Sequence, residues 1–291
     1  DVALHVKAKG IGLYRTEFPF IVRSTFPTEE EQYQGYKRVL EKMEGRPVVF
    51  RTLDIGGDKA LSYFPVDHGN NPFLGLRALR FSLRNPAIFK QQLRALLRAA
   101  HGNPQAKVMF PMVASLDEFE AARNLARGCQ QELEQEGVPS RMPELGVMIE
   151  LPSAVMMANE LATEADFLSI GSNDLIQYLL AVDRTNDEVA DWFTPGHPAV
   201  LRALDWIVRA AEKAGKPISL CGNLGSDPQM LPFLLGIGLR TLSMDSMAIP
   251  AVQRRIERID LELARSQARQ MLSLGHVEEV AEFLKFIDAK G

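Results

Sequence analysis

The feature that most constrains this chain is an alternation of short apolar runs with longer stretches of helical periodicity. The runs are GIGLYR at 10–15, PVVFRTLDI at 47–55, AKVMFPMV at 106–113, LGVMIEL at 145–151, DFLSIG at 166–171, PISLCG at 217–222 and RTLSMD at 240–245. Each is rich in Val, Ile, Leu or Phe and bounded by Gly, Pro or Asp, as expected of strands buried on both faces. An eighth strand is expected near Arg77–Phe81. Between the runs, Thr28 followed by three glutamates opens a helix to about Met43. Ser115 with Glu118 reads as a capping box. Further helices are expected at 86–100, 153–162, 173–182, 198–214, 228–236 and 248–259, with two more in 260–289. Repeated strand–helix units imply a parallel sheet with right-handed crossovers. In one chain of 291 residues they point to an α/β fold, a (β/α)8 TIM barrel with extra C-terminal helices. An open doubly wound sheet is the alternative.

Composition narrows the function. The 33 basic and 37 acidic residues leave a net charge of −4, which argues against nucleic acid as a partner. No apolar run approaches the ~20 residues of a membrane helix. Two cysteines, Cys129 and Cys221, are too few for a disulfide framework, so a reducing cytoplasm is expected. The length admits two domains of about 150 residues each, but barrels use about 250 as one, and residues 1–291 are read as a single domain. The opening DVALHVKAKG has no signal-peptide pattern. Residues 1–9 read as the tail of a helix, so a fragment of a longer protein is expected.

A barrel carries its chemistry at the C-terminal ends of its strands, and polar residues gather there. The first run ends in Arg15-Thr16-Glu17, and the second carries Arg51 and Asp54. The fifth strand, the run at 145–151, ends in Glu150, the sixth leads into Ser172-Asn173-Asp174, and the seventh ends in Cys221-Gly222-Asn223. Glu150 and Asp174 are hard oxygen donors suited to Mg²⁺ with water and substrate oxygens, although either alone could be a solvated loop carboxylate. Residues 171–174 precede a helix start, where free N–H groups favour an anion or simply cap the helix. Arg15, Arg51 and Arg184 offer planar forks for carboxylate or phosphate. Arg15 and Arg51 are embedded in apolar runs, where a charge needs a partner that a bound anion could supply. Arg77 sits near Arg80 and Arg84, which look like one face of a helix. Residues 55–59, IGGDK, lack the spacing of a P-loop, and no GxGxxG follows any run. Cys221 is either a small core residue or a thiol acid at the site, whereas Cys129 reads as structural. His5, His68, His101, His197 and His276 form no zinc spacing or triad.

Several segments resemble a known family. GIGLYRTEF at 10–18, FPTEEEQ at 26–32, RTLDIGGDK at 51–59, NPFLGLRALR at 71–80 and MFPMV at 109–113 are similar to enzyme I of the phosphoenolpyruvate-dependent phosphotransferase system. So are GVMIELPSA at 146–154, IGSNDLIQYLLAVDR at 170–184 and LCGN at 220–223. The resemblance runs in order over essentially the whole chain and covers the phosphoenolpyruvate-binding barrel, which also forms that family's dimer interface. HPAVLRALDWIVRAAEKAG at 197–215 resembles the nitrogen-related branch most.

This resemblance implies a phosphoryl transfer from phosphoenolpyruvate to a histidine, with Mg²⁺ as cofactor and pyruvate as product. Arg15 and Arg51 match phosphate-gripping arginines, Arg184 a further substrate arginine, and Arg77 an arginine of the same pocket. Asn173 matches a phosphate contact, Glu150 and Asp174 the Mg²⁺ ligands, and Cys221 the proton donor to the enolate. The implied partners are an N-terminal phosphohistidine domain, an HPr-like carrier and a second copy in a homodimer.

None of the five histidines matches the family's Gly-rich Thr-Ser-His acceptor, so the chain is expected to bind substrate without completing transfer. The family has Cys-Gly-Glu where this chain has Cys221-Gly222-Asn223, and Ser172 stands for the usual threonine. Two other readings share these residues. One is a Mg²⁺-dependent carbon–carbon lyase, against which Arg15 and Arg51 count; the other is a phosphoenolpyruvate sensor that does no chemistry.

Overall fold

All seven apolar runs form strands. The structure, a computed structural model, describes residues 2–56, 61, 63–64 and 71–290. The expectations for Gly57, Asp58, Lys59 and His68 lie outside the described residues. The strands are β1 (Ile11–Arg15), β2 (Val48–Arg51), β3 (Ala106–Phe110), β4 (Glu144–Ile149), β5 (Phe167–Gly171), β6 (Ile218–Cys221) and β7 (Leu242–Ser243). A short helix α1 (Val2–His5) precedes them. The chain divides into two compact units, residues 9–148 and residues 2–8 with 149–291.

In the first unit, β1 to β4 are parallel and neighbours in chain order. Their connections are α2 (Phe18–Ile21), α3 (Glu29–Lys42), α4 (Leu79–Arg84), α5 (Pro86–Ala100) and α6 (Leu116–Gln135). The predicted threonine cap of α3 forms a full capping box: Glu31 N–H bonds the Thr28 hydroxyl, and the Glu31 carboxylate takes the Thr28 N–H at 2.8 Å. The capping box predicted at α6 is only half formed. Ser115 Oγ accepts from Glu118 N–H, but the Glu118 carboxylate takes the Ala114 N–H instead. An edge-to-face series of Phe89, Phe110 and Phe119 lies in the core under α5 and α6. On the outside, Arg94 and Arg98 of α5 bind Glu29, Glu30 and Glu136, tying α3, α5 and α6 together.

The second unit holds β5, β6 and β7, again parallel and in chain order. Its helices are α1, α7 (Pro152–Met156), α8 (Ala158–Glu164), α9 (Ser172–Leu180), α10 (Pro198–Lys213), α11 (Leu231–Gly236), α12 (Ile249–Ile256), α13 (Leu261–Ser273) and α14 (Val277–Lys290). The single helix expected at 153–162 is two, broken at Met157. The two expected in 260–289 are α13 and α14, and α13 packs against α11.

Strand order follows chain order without the reversal that defines a doubly wound sheet. The fold class is therefore the α/β barrel type, with seven parallel strands among the described residues. The eighth strand expected near Arg77–Phe81 is not there. Leu79–Arg84 is helical, with Leu79, Phe81 and Ser82 buried.

Candidate functional site

The predicted residues fall at strand ends, as the barrel reading requires. In the first unit, Arg15 and Arg51 are register partners at the ends of β1 and β2, so their side chains leave the same face. The sequence implies that a charge inside an apolar run needs a partner, which a bound anion could be, and the two arginines differ in this. Arg15 is exposed, because β1 ends with it. Arg51 is buried, and its Nη2 is paired with Glu17 Oε1 at 3.0 Å and Asp54 Oδ2 at 3.1 Å.

Arg77 joins the same group. Its Nε and Nη2 donate to both oxygens of Asp54, at 3.0 and 3.2 Å. Glu17, Arg51, Asp54 and Arg77 are 4, 5, 1 and 2% exposed, so two guanidinium groups and two carboxylates neutralise each other out of water. A buried charge is tolerable only when paired and hydrogen-bonded in this way. Sequence reasoning noted Glu17 and Asp54 as strand-end carboxylates but not as the partners that orient the arginines.

The surroundings fix this group. Gln92 of α5, fully buried, accepts from Leu53 N–H at 2.8 Å and donates to Thr16 Oγ1 and Tyr36 OH. Thr16 Oγ1 in turn donates to the Arg51 carbonyl at 2.9 Å. Burial pushes the Tyr36 hydroxyl well above its ordinary value, keeping it neutral. Gly56 has φ +99°, and a Cβ there would run into the Leu76 carbonyl and the Arg77 backbone. Close approach at Gly56 is what lets Arg77 reach Asp54. Ala78 N–H closes the same turn on the Ile55 carbonyl at 2.9 Å.

In the second unit the residues meet at the start of α9. Ser172 Oγ donates to the Cys221 carbonyl at 2.8 Å, and Asn173 Oδ1 accepts from the Asn223 N–H at 3.0 Å. The asparagine amide thus spends its oxygen on the backbone of residue 223, with its NH₂ as the side chain's donor group. This bond uses only the backbone of Asn223, whose side chain is exposed. Gly222 makes the junction possible: φ is +102°, and a Cβ would lie 2.9 Å from Asn173 Oδ1 and closer still to Ser172 Oγ. Asp174 is buried and ion-paired with Arg184 Nη1 at 3.5 Å.

Cys221 is buried at the end of β6. Its thiol donates to the Ile170 carbonyl at 3.4 Å and accepts from Ser169 Oγ at 3.9 Å. Cys129, on α6, is a core residue whose thiol burial pushes up to about 11, which makes it unreactive near neutrality. Glu150 is buried directly after β4 and before α7, which packs against α9.

Glu150 and Asp174 fit Mg²⁺ by donor chemistry. Both are buried hard-oxygen carboxylates, and Mg²⁺ is commonly held by one or two such groups plus water and substrate oxygens. Among the described residues no group of three His, Cys, Asp or Glu side chains converges as a self-sufficient metal cage.

Comparison with known proteins follows the same lines. Residues 1–261 match the family described as PEP-utilising enzyme, PEP-binding domain. The phosphoenolpyruvate-protein phosphotransferase of Geobacillus stearothermophilus is 47% identical over 285 residues, covering 97% of this chain and 49% of the relative. That of Bacillus subtilis (strain 168) is 44% identical over 279 residues, covering 95% and 49%. The chain thus spans about half the length of the curated relatives it matches. The malate synthase of Haloferax volcanii, solved as a magnesium/glyoxylate complex, is similar in fold, with a TM-score of 0.50 at 12% identity over 80% of this chain and 61% of that one. On the family match and these identities, the chain belongs to the PEP-utilising enzymes, as their PEP-binding domain.

Proposed function

We propose that this chain binds phosphoenolpyruvate with Mg²⁺ and serves a phosphoenolpyruvate-protein phosphotransferase, releasing pyruvate. The observation that carries the reading is the meeting of Asn173, Asp174, Arg184 and Cys221 around the start of α9. An anion donor, a carboxylate, a cation and a thiol at one helix start suit a small substrate with both phosphate and carboxylate groups. The acceptor histidine is placed in the part of the relatives that this chain does not span, with an HPr-like carrier beyond it and a homodimer as the working form. The stretch 197–215, which forms α10, is the basis for assigning the nitrogen-related branch.

Each residue then has a task. Arg51 and Arg77 are oriented by Glu17 and Asp54 before substrate arrives, so little reorganisation opposes phosphate binding. Arg15, exposed beside Arg51, supplies a mobile cation to the same charge. Asn173 offers its NH₂ as an anion donor, and Arg184 holds the Asp174 carboxylate in place. Held by Glu150 and Asp174, Mg²⁺ when bound supplies charge neutralisation at substrate oxygens. After the phosphoryl group leaves, the enolate takes the S–H proton of Cys221 at its methylene carbon and becomes pyruvate.

Calorimetric titration of phosphoenolpyruvate into this chain, with and without Mg²⁺, tests the reading. Binding is expected, stronger with Mg²⁺, and weakened on the order of tenfold or more in Arg15→Ala, since charge-assisted bonds are strong. Arg15 is the cleaner probe because it is exposed and its loss leaves the buried group intact. A folded chain that takes up no phosphoenolpyruvate sinks the proposal.

A further inference from the structure

The face of β5 and β6 that carries Cys221 also carries two serines. In parallel register Ser169 faces Ser219, and Gly171 faces Cys221. Alternation puts these four on one side, while Leu168, Ile170, Ile218 and Leu220 take the other. Ser219 Oγ donates to Ser169 Oγ at 3.1 Å, and Ser169 Oγ donates on to Cys221 Sγ at 3.9 Å. Ser169 is fully buried, whereas Ser219 is partly exposed. Two hydroxyl dipoles in the middle of a strand pair give up apolar burial, and both are aligned towards one sulfur. Ser219 takes one acceptor position of Ser169, whose own O–H is within reach of the thiol.

We infer that Ser169 and Ser219 are positioning residues that hold the Cys221 side chain and stabilise its thiolate. The inference rests on the reading of Cys221 as proton donor. When the S–H bond breaks, the proton forms a C–H bond with the enolate methylene and sulfur keeps the electron pair. The resulting anion lies in a buried place, and the Ser169 O–H is a hydrogen-bond donor beside it. The thiolate then recovers its proton from solvent water, leaving hydroxide to the bulk.

The test is thiolate formation in the whole 291-residue chain, followed by ultraviolet absorbance against pH. Each variant is compared with the same variant also carrying Cys221→Ala, so that the difference reports Cys221 and not Cys129. Ser169→Ala is expected to raise the pH at which the Cys221 thiolate forms by about one unit, the tenfold effect of one hydrogen bond to a charged group. Ser219→Ala is expected to raise it by less, and Ser169→Thr, which keeps the hydroxyl, to restore it. Thermal unfolding identifies a variant that has lost its fold. Should Ser169→Ala not fold, Ser219→Ala decides, since its side chain is partly exposed. An unchanged titration in folded Ser169→Ala and Ser219→Ala overturns the inference. Phosphoenolpyruvate calorimetry on the unsubstituted chain is read separately. Its failure overturns the reaction and with it the purpose of the pair, whereas an unshifted thiol in a chain that binds substrate overturns the pair alone.

Discussion

At the scale of single residues, Gly222 has the sharpest requirement. It stands at φ +102°, with Ser172 Oγ and Asn173 Oδ1 where a Cβ would be. Gly222→Ala should cost about 1–3 kcal/mol in thermal or denaturant unfolding, from backbone strain and displaced neighbours. It should also weaken phosphoenolpyruvate binding, because Asn173 and Cys221 are both placed through this junction. The sequence displayed Cys221 and Asn173 by their place at the ends of apolar runs, but said nothing of the glycine that seats one against the other. Arg15 and Arg51 show the same gap. Both stand in apolar runs, yet one is exposed and the other is held by Glu17 and Asp54. Asp54 lies only three residues from Arg51, but Glu17 reaches it across 34, a separation that no local pattern encodes.

At the scale of elements, the strands were legible because each is a short apolar run with a turn signal at both ends. The exception is instructive. A strand is expected near Arg77–Phe81 because an eight-stranded barrel needs one, although Arg77, Arg80 and Arg84 already stand at helical spacing, and Leu79–Arg84 is a six-residue helix. The start of α3 gives a pH prediction. The Arg23 guanidinium and then the Thr28 N–H and hydroxyl hold the Glu31 carboxyl down from 4.5 to about 2. Glu30 and Glu136 are lowered as well, the first by Gln34 and then Arg98, the second by Arg94. A carboxyl that binds its proton less readily folded than unfolded stabilises the fold above its unfolded value, and that stability is lost as pH falls through the folded one. The thermal midpoint should therefore fall between about pH 4.5 and 2, and less steeply in Glu31→Gln. Because these groups are exposed, the effect should shrink in high salt. An equal slope in both proteins would remove Glu31 from the account.

At the scale of the molecule, strand order and the placing of polar residues at strand ends were the readable part, because both follow from repetition along the chain. Seven strands fall where the apolar runs fall, and the order excludes a doubly wound sheet. The Glu17–Arg51–Asp54–Arg77 group has a consequence for how the protein reaches this state. Its members are drawn from 61 positions of sequence, 17 to 77, and each pays desolvation in full until the others arrive. Two long loops must close before any of that cost is offset, so the group should assemble after the rate-limiting barrier to folding. Glu17→Gln, which leaves Arg51 short of one partner, should destabilise by about 3 kcal/mol. That loss should fall almost wholly on the unfolding limb of a chevron, speeding unfolding on the order of a hundredfold while refolding stays within about twofold. Slowed refolding would place the four charges inside the nucleus instead. With late assembly, the same pairs that orient the arginines also set how long the native state lasts once it has formed.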